Sequence, residues 1–333
     1  TPMVTIDDLV AQIPEINPNA NYWFFRTQGG RLFPHFISSQ SVAMGYRKIT
    51  LAALDEIEGD NQEEKIRALV VKNYPQKKAA GLVVFQLLTF HRKMKKGDFV
   101  LIPSASTARV AIGFITSDKP VDVVADHDNE YYSYFRKRRS VKWIGVYNRE
   151  QFNPKVWRIL NTHQTIVDAS EYGPWIDAQV FDLFRKGDEY HYLIRVQKES
   201  GIHARSFLWA CLELFHIGDE FAQDQHYNEN SDAIDVRINL NSPGDIELIA
   251  STAKLLGVIA LIVVFLNGGG IKFTVEKMGI NFELGTDGVI KKLKDFLNDR
   301  SRRGIRESLR AKIDDLKMDS PQVKSLLEAV ADD

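Results

Sequence analysis

Three aromatic residues, Trp23, Tyr46 and Trp143, each offer a flat apolar face. Short hydroxyl side chains, Ser38, Ser39, Ser104 and Ser106, fall in segments whose composition reads as loop. A cationic stretch of Arg136, Lys137, Arg138, Arg139 and Lys142 is interleaved with, or preceded by, Tyr131, Tyr132, Tyr134 and Phe135. Together these groups suit one kind of ligand. An unstacked base needs an aromatic face, worth about 1–3 kcal/mol per base. It also needs hydrogen-bonding groups on its polar edge, and Arg or Lys near its phosphates. Each residue has a plainer role as well. Trp23 and Trp143 lie in apolar strands that a barrel core would take in. Tyr46 follows Gly45 and fits a pocket or a core. The cationic run fits a solvated face or a phosphate track.

Catalytic chemistry finds weaker support. Asp122, Asp126, His127, Asp128 and Glu130 cluster in a polar loop, with no following Glu-x-Lys strand of the kind that holds metal and activates water in nucleases. His216, Asp219, Glu220, Asp224 and His226 form a second cluster, but no His-Glu-x-x-His pattern is present and Gly218 weakens the helix that would carry them. Gly268-Gly269-Gly270 lacks the Gly-Lys-Ser/Thr of a phosphate loop. No Gly-x-Ser-x-Gly elbow or Cys-His pair occurs. The expectation is a binding protein rather than an enzyme, with no metal and no cofactor.

The elements that would position the aromatic and cationic groups come from local pattern. Helices are expected at Ile6 to Ile13, Ile49 to Glu58, Gln62 to Lys72 and Ala79 to Phe90, the last ending in His91-Arg92-Lys93-Met94-Lys95-Lys96. Cations there oppose the negative end of the helix dipole. Strands are expected at Tyr22 to Phe25, Ser41 to Arg47, Phe99 to Ile102 and Ala108 to Thr116, with turns at Gln28-Gly29-Gly30 and Gly97-Asp98. Tyr131 to Trp143 closes the set. Short strands, tight turns and a few helices imply a small, partly open barrel with helices on its outside.

The motifs Met94-Lys95-Lys96-Gly97-Asp98-Phe99-Val100-Leu101-Ile102, Ala111-Ile112-Gly113-Phe114-Ile115 and Arg139-Ser140-Val141-Lys142-Trp143, in that order, resemble the EVE domain and its PUA-like relatives. Tyr22-Trp23-Phe24-Phe25-Arg26 and Ala43-Met44-Gly45-Tyr46 sit where that family places its first strand and a pocket aromatic. The resemblance covers about residues 20–150. It implies recognition of a base, modified or not, in nucleic acid, as in restriction and defence proteins of bacteria and phages. The pocket it implies contains Trp23, Arg26, Ser38, Tyr46, Ser104, Ser106 and Trp143, with Arg136, Arg138, Arg139 and Lys142 on phosphates. Any nuclease would be a separate chain.

Length and composition bound the rest. The 333 residues are 44% hydrophobic and 26% charged, a globular balance sufficient for about two domains. The net charge of −1 excludes a uniformly basic coat, so nucleic-acid binding requires a local patch. The fold class expected is α+β: a PUA-like barrel domain over 1–168, then an α/β oligomerisation or effector domain over 169–333, entered through the Gly173-Pro174 region. In the second domain a helix is expected over Ile176 to Phe184 and strands over Tyr190 to Val196 and Val236 to Leu240. A turn or helix start is expected at Asn241 to Asp245. The apolar run Leu255 to Leu266 is too short for a span of about 20 residues and reads as a buried helix. Residues 206–236 carry acidic charges only, and Lys291 to Lys312 is a basic helix region interrupted at Gly304. These opposite patches, with the apolar run, suggest self-association. The one cysteine, Cys211, among Leu208, Trp209, Leu212 and Leu214, reads as a buried thiol in a reducing cytoplasm. No signal peptide is expected at Thr1-Pro2-Met3-Val4. Two further readings are a nucleotide-signal sensor acting through self-association, and an abortive-infection effector with a membrane segment at 246–266.

Overall fold

The computed structural model describes residues 5–123, 134–239, 244–267 and 288–325. The chain packs as two units, Asn19–Val180 and Thr1–Pro18 with Phe181–Asp333. The packing division therefore lies at 18/19 and 180/181 rather than at 168/169. The reason is physical. Apolar spacing over residues 6–13 shows that one face of a helix is covered, but not by which core. Helix α1 (Ile6–Ala11) and strand β1 (Glu15–Ile16) join the later residues. Gly173-Pro174, expected as a linker, instead opens a helix, where proline is compatible with the first turn.

The 19–180 unit is a curled, half-barrel sheet with helices around it. In chain order it carries β2 (Tyr22–Phe25), α2 (Phe33–Ser38), β3 (Ser41–Met44), α3 (Leu51–Asp55), α4 (Gln62–Asn73) and α5 (Ala80–Leu88). Then follow β4 (Phe99–Pro103), β5 (Arg109–Ile115), β6 (Val121–Asp122), β7 (Lys137–Asn148), α6 (Trp157–Leu160), β8 (Ile166–Asp168) and α7 (Gly173–Val180). The seven-stranded sheet runs β3-β7-β5-β4-β2-β8, with β6 also on β7. Among its described strand pairs only β2–β4 is parallel. α5 continues into one wide π-type turn, Thr89–Lys93.

Asp98, at the turn before β4, ties the sheet together. Its carboxylate accepts from Trp23 Nε1 at 2.8 Å, Lys95 N at 2.9 Å and Asn21 N at 3.0 Å. Tyr22 donates its hydroxyl to the buried Asp177 of α7, and burial followed by that carboxylate pushes the phenol far above its ordinary range. The β5–β7 ladder breaks register between Ile112 and Gly113, a bulge that skips Ile144.

In the other unit, β9 (Leu183–Lys186), β10 (Glu189–Val196), β11 (Asp235–Asn239), β12 (Gly244–Ala250) and β13 (Met318–Asp319) build a sheet of order β1-β9-β10-β12-β11, with β13 on β10. The helices are α8 (Ala204–Asp224), α9 (Lys254–Leu266), α10 (Val289–Asn298) and α11 (Arg303–Leu316). α9 is the centre of this core: Leu255, Leu256, Val258 to Val263 and Leu266 are buried. Among the described residues no helix is long and apolar enough to cross a membrane. Gly218 of α8 lies against Leu255 and Ile259 of α9, so the glycine that weakens the helix also admits its neighbour.

Several expected elements are corrected here. Leu183–Lys186 is a strand, because Gly187 turns it back onto β10. Gly244–Ala250 is a strand, not the lead-in to a helix. The basic region breaks at Asp299–Arg302, where Asp299 accepts from Ser301 N and Oγ. Gly304 sits inside α11. Cys211 is half-buried, with Leu208 and Leu212 exposed, and burial pushes its thiol up to about 11. The acidic and basic stretches meet within this unit, where Arg302 Nε lies 2.8 Å from Glu220.

A Cβ placed on Gly113 would lie 2.6 Å from Lys142 O and 2.8 Å from both Trp143 Cε3 and Val141 Cγ1. All three contacts are on β7, and the Lys142 carbonyl is its main chain, which cannot withdraw without opening the ladder. Gly113→Ala is therefore expected to destabilise the barrel unit by about 1–3 kcal/mol, read as a lower urea midpoint with an unchanged slope. A variant as stable as the parent would show that the bulge relaxes freely.

Candidate functional site

β3 and β8 are the two ends of the curled sheet, and they do not pair with each other. Where they fail to meet, the 19–180 unit holds a cavity of about 610 Å³. Ala43, Met44, Gly45 and Tyr46 line it from the β3 end. Phe25 and Arg26 line it from β2, and Thr165 from just before β8. Gln28 and Leu32 come from the turn after β2, Gln86 from α5, Tyr134 and Phe135 from the approach to β7, and Lys77 from the loop before α5. Phe25, Leu32 and Phe135 are buried and form the apolar wall. Lys77, Gln28 and Tyr134 are exposed at the mouth.

Tyr46 is held in an uncommon conformation. Its φ is +58°, in the left-handed region that costs a non-glycine residue energy. Three contacts hold it there. Its hydroxyl donates to Gln86 Oε1 at 3.0 Å. The buried Lys137 ammonium donates to Gly45 O at 3.2 Å and Tyr46 O at 3.0 Å. The ring stands edge-on to Tyr74, centroids 5.6 Å apart. Gly45 has no room for a side chain, because a Cβ there would lie 2.8 Å from the Tyr134 ring. Burial, then the nearby Tyr134, raises the Tyr46 phenol above its ordinary value, so it stays a neutral donor.

Of the pocket residues expected from sequence, the cavity brings together Tyr46 and Arg26. Arg26 donates through a guanidinium N–H to Thr162 O at 2.8 Å, which fixes it beside the mouth. Trp23 is a core residue bound to Asp98. Trp143 is half-buried and donates to Phe36 O at 3.0 Å. Ser38 bonds His35 O within its own helix. Ser104 accepts from Arg109 N and shapes the β4–β5 turn. Ser106 is exposed on that turn. These five do not line the cavity. Gln86, Lys77, Tyr134, Phe135 and Gln28 do, and were not on the expected pocket list. The available signal was Gln86 itself, one amide within Leu82-Val83-Val84-Phe85-Gln86-Leu87-Leu88. A polar residue in so apolar a helix must face either a partner or a cavity.

The cationic stretch divides by strand alternation. Lys137 and Arg139 point inward and are buried, while Arg136 and Arg138 are half-buried and Lys142 is exposed. Arg139 is corrected from a phosphate ligand to a structural group. Its guanidinium donates to Phe90 O at 2.6 Å, His91 O at 2.9 Å, Asp118 O at 3.2 Å and Ser117 O at 3.3 Å, and burial lowers it to about 10. Arg136 donates to Val123 O, Arg138 to Phe135 O, and the Lys142 ammonium lies 5.9 Å from the Phe114 ring. Tyr131, Tyr132, Asp126, His127, Asp128, Glu130 and Gly268 to Gly270 lie outside the described residues. Asp122 accepts from Leu51 N. In the second acidic cluster Asp219 caps Ser231 and Glu220 pairs with His216 and Arg302. Among the described residues no group of His, Cys, Asp or Glu is arranged to hold a metal ion.

Lys137 yields a pH test. Burial lowers its ammonium to about 8, opposed in part by the charge of Asp122. The unfolded chain holds that proton until about 10.4. Between those values the unfolded state binds more protons, so this lysine's contribution to stability is lost as pH falls through 8 and restored as pH rises toward 10. The wild-type chain is expected to gain stability relative to Lys137→Met from pH 8 to 10, measured by denaturant unfolding. The comparison cancels tyrosine titrations common to both chains. A pH-independent difference would mean the ammonium is not desolvated.

Residues 26–167, which contain nearly all of the half-barrel and every cavity residue except Phe25, match the family model described as Domain of unknown function (DUF8426). No curated protein and no solved structure matches the chain.

Proposed function

We propose that the 19–180 unit binds an unstacked base of a nucleic acid in the cavity at the open mouth of its half-barrel, as a PUA-like, EVE-like reader. One observation carries this reading: a single cavity of nucleotide size combines aromatic faces, a buried amide and cations at its rim. Tyr46 and Tyr134 present rings, Gln86 reads the base edge, and Arg26 and Lys77 stand where the sugar–phosphate would leave the mouth. Backbone phosphates supply sequence-independent affinity and the enclosed base supplies selection. Among the described residues no carboxylate lines the cavity to repel a phosphate. In this reading the protein is a recognition component, in the defence setting that the sequence resemblance implies, and a nuclease acts as a separate chain.

Fluorescence polarisation with labelled single-stranded DNA and RNA tests it. Tyr46→Ala is expected to weaken binding by about 1–3 kcal/mol, the value of one stacked base, with the fold retained by circular dichroism. Lys77→Gln is expected to weaken all sequences alike and to flatten the salt dependence, because each phosphate contact releases counterions. Binding that is indifferent to both substitutions would place the nucleic-acid surface elsewhere or remove it.

A further inference from the structure

At its buried end the group that the cavity leaves open is a donor. The main-chain carbonyls at its β3 end, Gly45 O and Tyr46 O, are occupied by the Lys137 ammonium, and Tyr46 O also accepts from Ile49 N. Thr165 O accepts from Arg26 N at 2.8 Å. Among the described residues no Asp or Glu lines the cavity. The buried end carries one side-chain amide, Gln86, only 3% exposed. Its Oε1 is occupied by the Tyr46 hydroxyl. Its Nε2 has no partner among the described residues, and its residue lines the cavity. In this arrangement the amide turns its oxygen to the tyrosine hydroxyl and its N–H groups to the ligand.

A base that enters such a cavity keeps its sugar at the mouth. The atom that reaches deepest is the one opposite the glycosidic bond, at position 4 of a pyrimidine or position 6 of a purine. In uracil, thymine and guanine that atom is a carbonyl oxygen, which accepts. In cytosine and adenine it is an amino group, which donates. An amino group placed against the Gln86 N–H groups leaves two buried donors facing each other, and both lose their water without replacement.

We infer that Gln86, polarised by Tyr46, makes this site selective for bases with a carbonyl oxygen opposite the glycosidic bond: uracil, thymine or guanine over cytosine or adenine. The inference rests on the base-binding reading and adds the identity of the edge that is read. Gln86 is a specificity-determining residue in it, and the Tyr46 hydroxyl a positioning group.

The test uses the full chain and three labelled DNA single strands of one sequence, with deoxyuridine, deoxycytidine or an abasic sugar at the central position. Uracil and cytosine have nearly the same ring and differ chiefly at the atom in question. The deoxyuridine strand is expected to bind on the order of tenfold more tightly than the deoxycytidine strand, the usual effect of one mismatched buried hydrogen bond. Tyr46→Phe keeps the ring but frees Gln86 Oε1, so the amide can turn either edge to the ligand. This variant is expected to bind both base-bearing strands with the uracil preference lost. Equal affinity of the wild-type protein for uracil and cytosine strands overturns the edge assignment while leaving base binding intact. Full uracil preference in Tyr46→Phe overturns the role given to the tyrosine hydroxyl. If neither base-bearing strand binds better than the abasic one, the base-binding reading itself fails.

Discussion

A guanidinium removed from water needs a replacement for every hydrogen bond it gives up. Arg139 finds that replacement in four main-chain carbonyls, two at the π-type turn after α5 and two after β5. Among the described residues no carboxylate pairs with it at contact distance; the charges of Asp98 and Asp118 favour it from farther off, and the carbonyls supply the contacts. The position of β7, the turn that ends α5 and the chain leaving β5 are thereby fixed to one another. Lys137, two residues earlier on the same face, does the same for the chain leaving β3. Two inward cations on one strand therefore hold the inside of the half-barrel in register.

The cavity follows from that arrangement. The sheet curls without closing, and the gap between its ends is bridged by side chains and not by a ladder. One bridging residue, Tyr46, sits at positive φ because Lys137 holds its carbonyl, Gln86 holds its hydroxyl and the Tyr134 ring covers Gly45. Strain of this kind persists only where the surroundings over-determine it. In the base-binding reading proposed above, such rigidity would favour affinity, since a pre-shaped site loses less conformational freedom on binding.

Much of the half-barrel was legible in the sequence, because its strands are short apolar runs bounded by strong turn signals. Gly97-Asp98 before Phe99 to Ile102, and Gln28-Gly29-Gly30 after Tyr22 to Phe25, mark their elements by turn chemistry alone. The site was less legible. Arg136 to Arg139 reads as one charge block, and a block of like residues hides the period of two that sends alternate members inward. Trp23 looked available for stacking, yet its indole N–H belongs to Asp98, a partner 75 residues away that only the folded chain brings near. Gln86 carried a visible signal as a lone amide in an apolar helix, but periodicity does not tell a satisfied core amide from one facing a cavity. The missed strand Gly244–Ala250 follows a turn-rich stretch and precedes an apolar helix, and short apolar runs of that kind fit either state.

The interrupted unit has a bearing on synthesis. α1 places Ile6 and Leu9 against Gly257 of α9, and β1 pairs with β9. A chain made from its amino end therefore displays the apolar face of α1 long before its cover exists, while the whole 19–180 segment emerges with all its sheet partners already to hand. Folding during translation would complete the inserted half-barrel first, and α1 and β1 would have to wait, shielded by chaperones or transient contacts, until the ribosome had passed α9.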